Sequence, residues 1–552
     1  MKVAIAQNNY HVGNFESNTN KIITQIKKAK ELGAQLIVFS ELAVCGYPPL
    51  DLLEQQSFVE KAEKAINDML LYTTGITAVV GAPGINNSEE GKKLYNSAYV
   101  ISNGEVQKVI HKSLLPTYDI FDEYRYFEPS EDNEVVEIEG IKVALTICED
   151  LWDEQPIDQP FAQSRLYKHA PMRKLMAQKP ELIINIAASP FSHNQEFKRR
   201  DILRRNASTY NLPLIYVNQV GANTNIIFDG ASKVVNSKGE IVTQLSQFEE
   251  DFQLVDYAAI NQMKVTDFDP DDTNIRQIHN ALVLGIRDYF DKVGFSKALL
   301  GLSGGIDSAV VAALACRALG AKNVHGLLMP SEFSSDHSVS DAETLAQQLE
   351  MTYDIVPIKD IYTSTNSALA PIFPENTFDV TEENIQARIR GVLLMAYSNK
   401  YGNMLLNTSN KSEAAVGYST LYGDSNGGLS PIGDLYKKQV YALAEFINKE
   451  KELIPYNTIN KAPSAELRPD QQDSDSLPAY DVLDSLLFEY IERKQSPKEI
   501  ISMGFKRKDV EKIVHLVNIS EHKRYQFPPI LRVSSKAFGE GRRLPIVARY
   551  DL

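Results

Sequence analysis

The chain has 552 residues, with 57 Lys and Arg against 72 Asp and Glu, a formal net charge of −15. Hydrophobic residues make up 43% and charged residues 23%, the balance of a globular chain with a full core. The acidic excess argues against duplex nucleic acid as the main partner, no apolar run approaches the roughly 20 residues of a membrane helix, and the three cysteines make no disulfide framework.

At about 150 residues per domain, the length predicts three or four domains or two large ones. The opening MKVAIAQNNY reads as a buried strand, so no signal peptide and a reducing cytoplasmic location are expected. Short β-rich apolar runs follow at 3–6, 36–39, 78–81, 97–101, 143–147, 182–186 and 214–217. Helix-like polar stretches such as 17–32 and 58–71 separate several of them, which predicts a mixed sheet packed against helices. An acidic stretch without clear periodicity, 246–273, places a domain boundary between units 1–260 and 270–552.

Of the three cysteines, Cys148 stands apart. It lies in VALTICEDLW, at the carboxyl end of a buried run where a sharp turn exposes it. A thiol becomes nucleophilic when a base or nearby positive charge favours thiolate. Glu41 in LIVFSELAVCGYPP and Lys112 in VIHKSLLP occupy similar strand-end contexts. A carboxylate can take the thiol proton and later activate water, and an ammonium can stabilise an oxyanion together with backbone N–H groups after Cys148. In order, spacing and flanking sequence, Glu41, Lys112 and Cys148 resemble the Glu-Lys-Cys triad of the nitrilase (carbon–nitrogen hydrolase) superfamily. That resemblance implies an αββα sandwich, attack on an amide carbon, a thioester and release of ammonia. By resemblance to its glutaminase members, Tyr118 and Ser189 position glutamine, with Gln195 where the family often has Lys. Glu123 in FDEYRYF is the candidate for a second acid.

The second half begins with a predicted helix at 274–293 and then KALLGLSGGIDSAVVAALACRALG, a strand, a glycine-rich turn and a helix. Further strands in VHGLLMP, TYDIVPI and NMLLNTS, with helices at 340–351 and 382–401 between them, predict a Rossmann-like, doubly wound parallel α/β sheet. The polar, proline-bearing SAELRPDQQDSDSLPAY reads as a mobile loop. In SGGIDS, paired glycines aim successive N–H groups at one point and a helix N-terminus adds partial positive charge, a site for phosphate. Asp307 repels phosphate on its own and makes sense as a ligand of Mg²⁺ bridging the phosphates. The loop lacks the GK[ST] of a Walker A motif.

SGGIDS resembles the pyrophosphate loop of the ATP-pyrophosphatases, which implies ATP binding by Gly301, Leu302, Ser303, Gly304, Gly305, Ile306, Asp307 and Ser308. The segment NTSNKSEAAVGYSTLYGDSNGG resembles the NAD synthetase signature, with Thr408, Lys411, Glu413, Thr420, Tyr422, Gly423 and Asp424 in matching places. The resemblance implies that Thr408 contacts ATP, that Asn384 and Glu413 bind deamido-NAD, and that Glu413 is a second Mg²⁺ ligand. In PPILRVSSKAFG, Arg532 stands where the family usually has a substrate-binding Lys. Together the halves are similar to the glutamine-dependent NAD synthetase family, which implies deamido-NAD, ATP and glutamine as small-molecule substrates, Mg²⁺, and a homo-oligomer. Two other readings remain open at this level: another glutamine-fed adenylating ligase, and an amidase regulated by a nucleotide-sensing domain.

Overall fold

Aliphatic and β-branched runs dominate the amino-terminal half, and in the computed structural model they become strands buried on both faces. Residues 1–153, 165–193, 195–266, 274–373, 378–469, 471 and 477–548 are described. The chain divides into two units, Met1–Asp272 and Thr273–Leu552.

In the first unit, β1 (Lys2–Gln7), β2 (Leu36–Val38), β3 (Thr77–Ile85), β4 (Leu94–Ser102) and β5 (Glu105–His111) lie in one six-stranded sheet. A second six-stranded sheet holds β6 (Val136–Ile138), β7 (Ile141–Ile147), β8 (Leu182–Ala187), β9 (Leu214–Asn218), β12 (Lys233–Val235) and β13 (Ile241–Gln244). Between β9 and β12, the strands β10 (Val220–Asn223) and β11 (Ile226–Asp229) pair as a separate hairpin. The central strands of each large sheet, β1–β2–β3 and β7–β8–β9, run parallel, and the flanking strands run antiparallel.

The inner faces share one core, in which Val3, Val38 and Val79 of one sheet meet Leu145, Ile184 and Val217 of the other. The outer faces are covered by helices. Ile22 and Ile26 of Phe15–Glu31 and Ile66 of Gln56–Leu70 pack on the first sheet. Met172 and Leu175 of Pro171–Met176 and Ile202 of Gln195–Tyr210 pack on the second. The result is an αββα sandwich. The acidic stretch 246–273 also contributes a strand. Asp251–Asp256 forms β14, the edge strand that pairs antiparallel with the whole of β1. Only Val255 of that strand is fully buried, Phe252 packs partly buried on the outer core, and backbone hydrogen bonds to β1 hold the strand in place.

Asp150 ties the two sheets together near the end of β7. Its Oδ1 accepts the backbone N–H groups of Ser113 and Leu114, at 3.0 and 2.9 Å, just after β5. Its Oδ2 accepts the N–H of Ile147 at 3.1 Å. One buried carboxylate thereby fixes the Lys112 turn against the Cys148 turn.

The second unit carries a fully parallel four-stranded sheet in the order β17 (Thr352–Ile355), β16 (Val324–Leu328), β15 (Ala298–Gly301), β18 (Met404–Leu405). Ile385, Ile389 and Leu394 of the helix Val380–Tyr401 share a core with Leu299, Leu327 and Leu405 of the sheet. The helices Asn274–Val293, Ile306–Leu319 and Lys437–Ile447 pack together, and Ile306–Leu319 also packs on β15 and β16. The turn between β15 and Ile306–Leu319 needs its glycine. Gly304 has φ +75°, and a Cβ there would lie 2.2 Å from the Ser338 carbonyl oxygen. Of SAELRPDQQDSDSLPAY, positions 470 and 472–476 lie outside the described residues. The described part before them is coil, as expected, and is anchored where Glu466 accepts the hydroxyls of Ser335 and Ser338 at 3.0 and 2.7 Å.

Asp150→Asn puts an amide NH₂ against at least one of these backbone donors. It should lower the stability of the first unit by about 1–3 kcal/mol, read by urea unfolding. Burial raises the Asp150 pKa from 3.8 to about 7, so the folded state holds this proton more tightly than the unfolded chain. Its contribution to stability therefore falls as pH climbs between those two values, and the variant should lose that part of the pH slope.

Candidate active site

Glu41 follows β2, Lys112 follows β5 and Cys148 follows β7, so three strand ends deliver the three side chains to one region. The Lys112 ammonium is fully buried. It donates to Glu41 Oε1 at 2.7 Å and to both oxygens of Glu123 at 2.8 Å. Asn96 Nδ2 on β4 donates to the same Glu41 oxygen at 2.7 Å, and the Ala188 N–H after β8 donates to Glu41 Oε2 at 2.8 Å. The Tyr47 hydroxyl donates to Glu123 Oε1 at 2.8 Å. Burial alone lowers the Lys112 pKa, but Glu123 and Glu41 outweigh it and hold it well above the ordinary lysine value. Burial, opposed by Lys112 and aided by Glu41, pushes the Glu123 carboxyl upward.

Cys148 sits at the start of a 3₁₀ turn, Cys148–Trp152, with φ +45°. A left-handed backbone at a residue with a Cβ costs about 1–3 kcal/mol and persists only where the surroundings enforce it. Burial raises the thiol pKa well above the ordinary cysteine value; the Glu41 charge adds to this and Lys112 opposes it. The resting sulfur is therefore a neutral thiol beside an ammonium and carboxylates, an arrangement in which proton transfer and attack can be coupled.

The next residue, Glu149, is buried, and its Oε1 accepts the hydroxyls of Tyr118 at 2.7 Å and Tyr167 at 2.9 Å. Tyr118 thus stands in the Cys148 neighbourhood, whose charge it feels. Ser189, just after β8, receives a 3.5 Å contact from Arg199 and lies beside Tyr216, whose ring hydroxyl also feels Cys148. Gln195 begins the helix Gln195–Tyr210 with its N–H on the Ser192 carbonyl, and no hydrogen bond among the described residues joins its side chain to the cluster.

In the second unit, a cavity of about 480 Å³ is lined by Gly301, Leu302, Ser303, Gly305, Ile306, Asp307, Ser308, Asn384, Thr408 and Glu413. Gly304 and Arg532 are absent from that lining. Gly304 shapes the turn from behind, and Arg532 is buried beside Val533 and Ser534, whose N–H groups bind Asp434. Asn384 Oδ1 accepts the Thr420 hydroxyl at 2.7 Å, and Thr420 N–H is held by Asp424. The carboxylates of Asp307 and Glu413 converge on the Lys437 ammonium, at 2.6 and 3.3 Å. Asn410 bridges them, donating its side-chain amide to Asp307 and its N–H to Glu413. Both carboxylates are hard oxygen donors of the type Mg²⁺ takes, one or two carboxylates with phosphate and water completing the shell, but the Lys437 ammonium occupies the point on which they converge and would have to move aside for an ion. Among the described residues no group of three or more His, Cys, Asp or Glu could hold a metal unaided. Lys411, part of the signature segment, is instead fully buried in an ion triad with Asp434 and Glu492.

Asn96, Tyr47, Glu149, Tyr167 and Lys437 belong to these clusters and were not singled out from the sequence. The two acids directly after Cys148 in CEDLW were the available signal for Glu149; nothing local marks Asn96 in mid-strand or Tyr47 in a loop.

A family model described as carbon-nitrogen hydrolase matches residues 2–157, and one described as NAD synthase matches residues 278–527. A glutamine-dependent NAD(+) synthetase of Synechocystis sp. is 46% identical over 99% of this chain and 99% of its own length. One from Acinetobacter baylyi is 42% identical over 99% of this chain and 98% of its own. The solved structure of glutamine-dependent NAD+ synthetase from Acinetobacter baumannii, in complex with ADP, aligns over 99% of this chain and 98% of its own at 39% identity, with a TM-score of 0.77. With relatives this similar over their whole length, the chain belongs to the glutamine-dependent NAD(+) synthetase family.

Proposed function

We propose that this chain makes NAD from deamido-NAD, ATP and glutamine, with glutamine hydrolysed in the first unit and the acid activated in the second. The observation that carries the reading is an ammonium sealed between two carboxylates beside a backbone-strained cysteine, on the same chain as a glycine-turned anion loop.

Glu41 takes the Cys148 proton as sulfur attacks the side-chain carboxamide carbon of glutamine. Lys112 and backbone N–H groups after Cys148 stabilise the oxyanion. Glu41 returns the proton to the leaving nitrogen, so NH₃ departs and a thioester remains. Water, deprotonated by Glu41, then releases glutamate and restores the thiol. Glu123 holds Lys112 from the other side. Tyr118, Ser189 and Gln195 belong to the glutamine subsite in this proposal.

In the second unit, the carboxylate of deamido-NAD attacks the α-phosphorus of ATP and pyrophosphate leaves. Adenylation is required because hydroxide is a poor leaving group and AMP a good one. Ammonia then attacks the acyl carbon, loses a proton and displaces AMP. Residues 301–308 and Thr408 hold ATP, Asn384 and Glu413 serve deamido-NAD, and Asp307 and Glu413 would hold Mg²⁺; Arg532, buried outside the cavity lining, would reach deamido-NAD only if its side chain moved. When bound, that ion neutralises phosphate charge. Delivering NH₃ inside the protein keeps it from becoming ammonium in water. A homo-oligomer and a cytoplasmic location belong to the same proposal.

Cys148→Ala should abolish glutamine-supported NAD formation while added ammonium salts still support it; Asp307→Ala should lose both. NAD, AMP, pyrophosphate and glutamate are the products to measure, and undiminished use of glutamine by Cys148→Ala would remove the nucleophile. Because the resting thiol pKa is raised, alkylation of Cys148 by iodoacetamide without substrate should climb about tenfold per pH unit through pH 9. A plateau near neutral pH would instead mean a resting thiolate.

A further inference from the structure

The turn that carries Cys148 is held by its carbonyls as well as by Asp150. Asn185, fully buried on β8, stands directly opposite Thr146 of β7. Its Nδ2 donates to the Thr146 hydroxyl oxygen at 3.0 Å and to the Cys148 backbone carbonyl at 3.3 Å. A carbonyl can only accept, so the side-chain amide must present its NH₂ there. At the other end of the turn, Asn206 of the helix Gln195–Tyr210 donates to the Leu151 carbonyl at 3.1 Å. The chemistry above uses neither amide.

A trans peptide points its C=O and its N–H in opposite directions, and the bond between Cys148 and Glu149 is trans. Alternation along β8 sets those directions. Ile184 and Ile186 face the core between the sheets, whereas Ile183 and Ala187 pack outward beneath the helices, so Asn185 stands on the outer face. The Lys112 cluster lies on the inner side: Asn96, which holds Glu41, shares its face of β4 with Ala98 and Val100. Asn185 therefore draws the Cys148 carbonyl outward and turns the Glu149 N–H inward. That N–H belongs to the first turn of the 3₁₀ segment, where the helix itself offers no acceptor, and no other acceptor meets it among the described residues.

We infer that Asn185 is a positioning residue for glutamine hydrolysis: by holding the Cys148 carbonyl it aims the Glu149 N–H at the oxyanion that forms on the carboxamide. This inference rests on the glutaminase reading of the first unit. No bond forms or breaks at Asn185, and it moves no proton. Its contribution is confined to the stage at which negative charge develops on the substrate oxygen.

Two reactions of the Cys148 thiol in the full-length protein separate this role from a structural one. Glutamine hydrolysis passes through an oxyanion; alkylation by iodoacetamide is a displacement at a saturated carbon and creates none. Asn185→Leu, similar in volume, should lower kcat for glutamine about 10- to 100-fold with KM little changed, while the alkylation rate stays at the wild-type value. Equal losses in both reactions, or an unchanged kcat, would overturn the inference. Thr146→Val disturbs the same buried pair but leaves the Cys148 carbonyl held, and should keep the wild-type kcat; a loss matching that of Asn185→Leu would mean general loosening and would also overturn it. Should Asn185→Leu not fold, Asn185→Asp keeps the shape. Only the protonated acid has a hydrogen to give the carbonyl, so its kcat relative to wild type should rise as pH falls from about 8 to about 6, and a flat ratio would count against the positioning role. Cys148→Ala reports on the underlying reading separately: undiminished use of glutamine there would sink the glutaminase assignment, whatever Asn185 does.

Discussion

A lysine ammonium with no access to water organises the amino-terminal unit. Removing such an ion from solvent costs several kcal/mol even after relaxation, and only good geometry with several partners offsets it. Lys112 meets that demand with two carboxylates, and those in turn are held by Asn96, Tyr47 and the Ala188 N–H. The partners come from the ends or bodies of β2, β4, β5 and β8, so strands of both sheets must converge at one end of the sandwich for the charge to be tolerated. The same convergence places Cys148 in the field of the Glu41 carboxylate and the Lys112 ammonium. Fold and chemistry therefore share one electrostatic requirement, and Asp150 secures it by tying the Lys112 turn to the Cys148 turn.

The second unit uses a comparable arrangement with the opposite accessibility. Lys437 also lies between two carboxylates, but Asp307 and Glu413 keep 18% and 17% of their side chains exposed, against 1% and 5% for Glu41 and Glu123. The first cluster is closed and preorganised, suited to chemistry in a low dielectric. The second opens into a cavity at the carboxyl ends of parallel strands, where doubly wound sheets place their ligands. There Asp307, Glu413 and Lys437 all line the cavity.

Legibility from sequence followed the range of the interaction. The helix 274–293 was legible to the residue because its apolar face repeats with helical period over five turns. The Cys148 turn and the SGGIDS loop were legible because their chemistry is contiguous in the chain. β14 was not, since its apolar residues are few and set among acids, and what fixes it is backbone pairing with β1 about 250 positions away. Lys411 and Glu413 stand two residues apart in one helix, yet one is sealed in an ion triad and the other faces the cavity. Helix geometry separates them by about half a turn, and which side meets ligand depends on what packs there.

The sequence by itself determined the α/β character of both halves, the strand ends that carry Glu41, Lys112 and Cys148, and the phosphate-type turn at 303–308, because hydrophobic period, glycine placement and motif order are local properties. Only the tertiary structure decided that Asn96 and Tyr47 complete the Lys112 cluster, that Lys437 joins Asp307 to Glu413, and that Arg532 lies away from the cavity lining. Those outcomes are set by burial and by charge balance among residues up to 130 positions apart, which local sequence does not encode.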